Sequence, residues 1–110
     1  MDSKRIINIR EEALLDLLVE KASINLPIDW KEKLMVKNMN DGGMGSLKLF
    51  TENSKINRKF GSKVSEYVFK DIDEVKVIAS LYLDTEGVLY EIDIWKTDFN
   101  SLIELPEIHS

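Results

Sequence analysis

The chain contains no cysteine, two prolines and a single histidine. Without cysteine, a disulfide framework, a thiolate zinc site and a thiol nucleophile are all excluded. The one histidine, His109, is penultimate, in a stretch expected to fray. A Ser–His or His–metal centre therefore has no credible base. No run approaches the ~20 apolar residues of a membrane helix. Met1 to Arg10 also lacks an apolar stretch of signal-peptide length. The expectation is a soluble, cytoplasmic protein with no membrane contact and no cofactor.

Basic residues are outnumbered by acidic ones, 15 to 20, for a formal net charge of −5. An acidic surface repels phosphate backbones, which disfavours nucleic acid as a partner and mildly favours basic proteins. What the sequence does have is an ordinary globular balance, 44% hydrophobic and 32% charged residues, enough to argue against disorder. At 110 residues it is the size of one domain, 1–110.

The pattern along the chain predicts an α+β fold, an N-terminal amphipathic helix on a mainly antiparallel sheet of about five strands. Arg10 to Ala22 reads as the helix. Ile9, Ala13, Leu14, Leu17, Leu18 and Lys21 keep helical rhythm on one face, and Leu15 and Val19 widen the stripe. Glu11, Glu12, Asp16 and Glu20 occupy the other side. Asn8 is placed to cap it, with Glu11 three residues on as in a capping box. Leu26-Pro27-Ile28 ends the region, and Asp29 caps a short helical turn from Trp30 to Lys33. Trp30, beside that proline turn, is expected in the core.

Strands are expected over Leu34 to Met39, Ser46 to Thr51, Lys59 to Lys70, Val75 to Asp84 and Val88 to Lys96. Asn40 to Gly45 has three glycines and joins the first two as a hairpin. Gly61 marks a bulge. Val75, Val77, Ala79, Leu81 and Leu83 share one predicted core face, and Tyr90, Ile92 and Ile94 share the other. Leu102, Ile103 and Leu105 are expected to tuck the tail against the sheet.

Opposite the predicted core, alternation brings Leu89, Glu91, Asp93 and Trp95 beside Ile78, Ser80, Tyr82 and Asp84. Aromatic rings there supply contact area and carboxylates supply selectivity for a basic partner. Solvated strands with cross-strand aromatic pairs produce the same pattern without any site. Glu91 and Asp93, roughly 6.5–7 Å apart along the strand, also have a spacing compatible with acid/base work. Asp41 to Ser46 fails as a phosphate loop, because neither the Gly-Lys-Ser/Thr ending nor a following helix is present.

Asn40-Asp41-Gly42-Gly43-Met44-Gly45-Ser46-Leu47 and Glu91-Ile92-Asp93-Ile94-Trp95-Lys96-Thr97-Asp98-Phe99 together resemble motifs of a family of small bacterial single-domain proteins of unknown function. The resemblance runs from the helix to Pro106. It implies a small stand-alone bacterial protein and carries no activity or catalytic residue with it. More loosely, the chain is similar to acidic one-domain immunity partners of secreted toxins. Within these motifs Lys96, Asp98 and Asp41 are expected to clamp the backbone of the glycine turn.

The leading expectation is a protein-interaction module, in its finer form an immunity-type inhibitor of a basic toxin. It uses Tyr82, Glu91, Asp93 and Trp95, with Met44 at the edge. The alternative is a small-molecule or metal-binding domain, or a minor enzyme, using Glu91, Asp93 and Asp98. A third is a homodimer through a sheet edge or the same aromatic patch.

Overall fold

The computed structural model describes residues 3–108, so His109 lies outside the described residues. Its elements are α1 (Ile9–Ala22), β1 (Met35–Asn38), β2 (Leu47–Phe50), β3 (Phe60–Lys70), β4 (Lys76–Asp84) and β5 (Leu89–Lys96). The strands form one antiparallel sheet in the order β1-β2-β5-β4-β3, and α1 packs across β3 and β4. This is the expected α+β architecture.

The start of α1 follows from its sequence. The Asn8 side chain accepts from the Glu11 N–H at 2.9 Å, and Glu11 accepts from the Asn8 N–H at 3.0 Å. Both are otherwise orphan donors of the first turn. The buried stripe is rotated from the expected one. Glu11, Leu14, Leu15 and Leu18 are buried, whereas Ile9 is 84% exposed. The buried Glu11 carboxylate is satisfied by two 2.8 Å hydrogen bonds from Arg5 and by the Asn8 N–H. Trp30 to Lys33 is a run of turns rather than a helical segment, and Trp30 is half-buried against the core.

Because β2 pairs with β5 and not with β3, the chain must cross the end of the sheet between Phe50 and Phe60. This crossing loop is tied to the β4–β5 turn, where the Thr85 N–H donates to the Lys59 carbonyl at 3.0 Å and Lys55 pairs with Glu86 at 2.8 Å. Gly61 sits at the expected bulge, and a second register shift lies between Lys63 and Ser65. A Cβ at Gly61 would run into the Asp84 carbonyl, so only glycine fits that approach.

The β5 faces require a correction. A register shift follows Tyr82, so that Leu83 opposes Leu89 while Tyr82 opposes Glu91. The extra residue, Tyr90, is displaced toward the open face, against Phe60 and Arg58. Leu89 therefore belongs to the core, fully buried, and Tyr90 does not. A bulge inverts alternation on one side of itself, which periodicity read from the strand alone cannot anticipate.

Beyond Tyr90 the alternation continues as expected through Ile92 and Ile94 to Lys96, which is fully buried. Its ammonium donates to Asp73 at 2.7 Å, to Asp71 at 2.9 Å and to the Ser101 carbonyl at 3.3 Å. Asp71 also accepts from the N–H groups of Ile72, Ile103 and Glu104 at 2.8, 2.7 and 3.1 Å. These contacts hold the tail against the β3–β4 turn. Leu102 and Leu105 pack on the core, whereas Ile103 remains exposed.

The clamp on the glycine turn differs in its members. Asp41 does cap the turn, accepting from the Met44 and Ser46 N–H groups at 3.1 and 2.9 Å. Lys96 is engaged with the aspartates, and Asp98 accepts from its neighbour Asn100. The tail supplies the remaining contacts. Ser101 Oγ donates to the Gly42 carbonyl at 2.8 Å and the Leu102 N–H to the Gly43 carbonyl at 3.0 Å. Gly43 has φ +80°, and a Cβ there would press on the Ser101 side chain.

Candidate functional site

Among the described residues the sheet face away from α1 carries no helix, and it is where the chemistry-bearing residues gather. On β5 it presents Glu91, Asp93 and Trp95, cross-strand from Tyr82, Ser80 and Ile78 of β4. Lys48 of β2 opposes Glu91 on the other side. Four of the five sequence-predicted residues, Tyr82, Glu91, Asp93 and Trp95, are thus on adjoining strands of one face. Met44 is half-buried in the glycine turn, with its N–H held by Asp41.

Glu91 and Asp93 are half-buried and form no ion pair among the described residues, where other acids do. Burial, with the Asp93 charge beside it, pushes the Glu91 carboxyl up, against the pull of Lys48 and Arg58. Asp93 is pushed up by burial and by Asp41, partly offset by a hydrogen bond from Ser46. Trp95 is 41% exposed and tilts against Phe99, ring centroids 5.9 Å apart. Phe60 joins Tyr82 at 4.8 Å. Unpaired carboxylates between exposed aromatic rings suit a binding surface.

The other carboxylates expected near this face are engaged elsewhere. Asp98 is committed to Asn100, and Asp84 accepts from the N–H groups of Glu86 and Val88 that close the β4–β5 turn. Among the described residues no three His, Cys, Asp or Glu side chains group so as to hold a metal ion.

One end of the same face has the opposite charge. Lys4, Lys48, Lys55 and Arg58 surround a cleft with Phe50 and Tyr90. Sequence reasoning missed this cluster, because its members come from the N-terminal segment, β2, the crossing loop and the β5 bulge. The sequence signal was confined to Lys55 and Arg58 between two predicted strands, too sparse to mark a site.

Fold and face together define a small single-helix α+β domain with one open sheet face of mixed charge. No helix is long and apolar enough to cross a membrane among the described residues. The chain belongs to the family described as a domain of unknown function (DUF6984), whose family model matches residues 4–106. No curated protein and no solved structure matches it.

Proposed function

We propose that this domain is a protein-interaction module that docks a basic partner on the open face through Tyr82, Glu91, Asp93 and Trp95. The observation that carries the reading is the pair of half-buried carboxylates that form no ion pair among the described residues, set between exposed aromatic rings. Leaving them unpaired costs stability in the free protein, and a lysine or arginine from outside recovers it. Trp95, with Phe99 beside it, supplies apolar area of the kind enriched at interface centres. The finer form is an immunity-type inhibitor of a basic toxin, which the net charge of −5 supports through long-range steering.

The test begins with affinity capture from the source organism's lysate at low and high salt. The captured protein is then purified and titrated against wild type, Glu91→Lys/Asp93→Lys and Trp95→Ala. The expected partner is basic, binds more weakly as ionic strength rises, and loses about tenfold or more affinity to each variant. Equal affinity for all three proteins removes this face from the reading. Inhibition of the partner's own activity by the wild type distinguishes the immunity-type form from simple binding.

A further inference from the structure

The geometry points to a second site on this face: a cleft centred on Arg58 that binds a small organic phosphate monoester. It lies between the crossing loop and strands β2 and β5, and is lined by Lys4, Lys48, Phe50, Ser54, Arg58 and Tyr90. Its volume of about 340 Å³ is within the usual range of small-molecule sites.

Arg58 is held in place before any ligand arrives. Its guanidinium lies 4.5 Å from the Phe50 ring centre and 4.8 Å from that of Tyr90. Nη1 donates to Ser54 Oγ and to the Leu89 carbonyl, both at 3.2 Å. All the hydrogen bonds run through Nη1, and neither Nε nor Nη2 donates to a described residue. That leaves the edge of the guanidinium that forms paired hydrogen bonds with carboxylate or phosphate oxygens. Two rings and two hydrogen bonds fix the plane, so little side-chain freedom remains to be lost on binding.

The surrounding charge sets the ligand class. Lys4 lies 4.2 Å from the Phe50 ring centre and Lys48 6.0 Å from that of Tyr90. Neither they nor Arg58 has an ion-pair partner among the described residues, while Lys55 is engaged by Glu86. Glu91 is the acid felt by both Lys48 and Arg58. Glu91 and Asp84 both act on Arg58, and Asp84 is already held by the Glu86 and Val88 N–H groups. Three cations without ion-pair partners thus keep the cleft positive, and a phosphate monoester has oxygens enough to meet the Arg58 edge and both lysines at once. The cleft is larger than a bare phosphate needs, and Phe50, Tyr90 and the fully exposed Ile56 offer apolar surface for the organic part.

The cleft borders the proposed docking surface at Glu91, but its assignment does not rest on that reading. The test is titration of ¹⁵N-labelled protein with phenyl phosphate, inorganic phosphate and phenol, followed by amide shifts. Saturable shifts confined to the neighbourhood of Lys48, Phe50, Ser54–Arg58 and Tyr90 are expected with phenyl phosphate. Inorganic phosphate should bind more weakly at the same place, and phenol should not bind. Arg58→Gln should weaken phenyl phosphate about tenfold or more, the loss of a charge-assisted pair. Lys48→Gln, which leaves the Arg58 hydrogen bonds to Ser54 and Leu89 intact, should weaken it severalfold and guards against misfolding of the Arg58 variant. Non-saturating shifts spread over all lysines, equal binding of phenol, or unchanged affinity in both variants would overturn the assignment.

Discussion

Lys96 and Asp71 are the residues in which charge and burial are most closely balanced. Burial alone would push the Asp71 carboxyl up. The N–H of Ile103, the Lys96 ammonium and the N–H groups of Ile72 and Glu104 outweigh it and bring it down to about 2. A carboxylate whose folded value is depressed contributes stability that is present above its ordinary value, near 3.8, and lost as pH falls through about 2. Acid titration of wild type should therefore show a stability loss across that window. In Asp71→Asn this component should be missing, which urea unfolding at a series of pH values would reveal. Truncation to alanine is harsher. Asp71→Ala should cost roughly 3–5 kcal/mol, because it removes one of the two carboxylates that hold buried Lys96 and leaves the N–H groups of Ile72, Ile103 and Glu104 without their acceptor.

Glu91 and Asp93 have the opposite sign. Their carboxyls are raised, so ionisation at neutral pH weakens the fold and protonation relieves it. Glu91→Gln/Asp93→Asn should thus raise Tm modestly at pH 7 and lose that advantage in mild acid. A melt at two pH values checks this. Residues that stabilise the fold when neutralised are the ones expected where function is weighed against stability.

At the scale of elements, α1 and β5 divide what was legible in the sequence from what was not. The capping box was legible because Asn8 and Glu11 interact within one turn. Asn8→Ala should cost about 1 kcal/mol. The buried stripe was only partly legible, since hydrophobicity favoured Ile9 and could not foresee a buried Glu11 paired with Arg5. Leu18→Ala is expected to cost about 2–5 kcal/mol, while Ile9→Ala should stay within about 0.5 kcal/mol. On β5 the residues after the bulge read correctly, and Leu89 and Tyr90 read inverted. Chemical denaturation should find Leu89→Ala more damaging than Tyr90→Ala. The same alternation that placed Ile92 and Ile94 inward pointed to a buried Lys96, a signal legible once a core position is allowed to hold a charge.

The whole molecule owes its open sheet face to the strand order. Local patterns revealed five strands and one helix, but pairing β2 with β5 is a non-local choice that no short motif specifies. The acidic and aromatic residues could be grouped in advance because Tyr82, Glu91, Asp93 and Trp95 are on consecutive strands. The Arg58 cleft could not, because it exists only where the crossing loop meets Lys4, Phe50 and Tyr90. A homodimer through a sheet edge or the same aromatic patch is a separate expectation, and the outer edge of β3 is one such edge. The two register shifts and the charged Lys63, Glu66 and Lys70 along that strand are features that discourage edge pairing. If the edge were the only route, light scattering at two concentrations should show a monomer, and a dimer lost in Trp95→Ala would assign it to the patch.

The same strand order has a kinetic side. β5 is the central strand of the sheet and also the last strand to be synthesised. Until it emerges, the β1–β2 hairpin and the β3–β4 pair share no strand, and each can form only as a separate piece. Loop-closure entropy must then be overcome in one late step, when β5 docks between them. A nascent chain halted before Leu89 should remain protease-sensitive, and folding should be acquired abruptly rather than accumulated strand by strand.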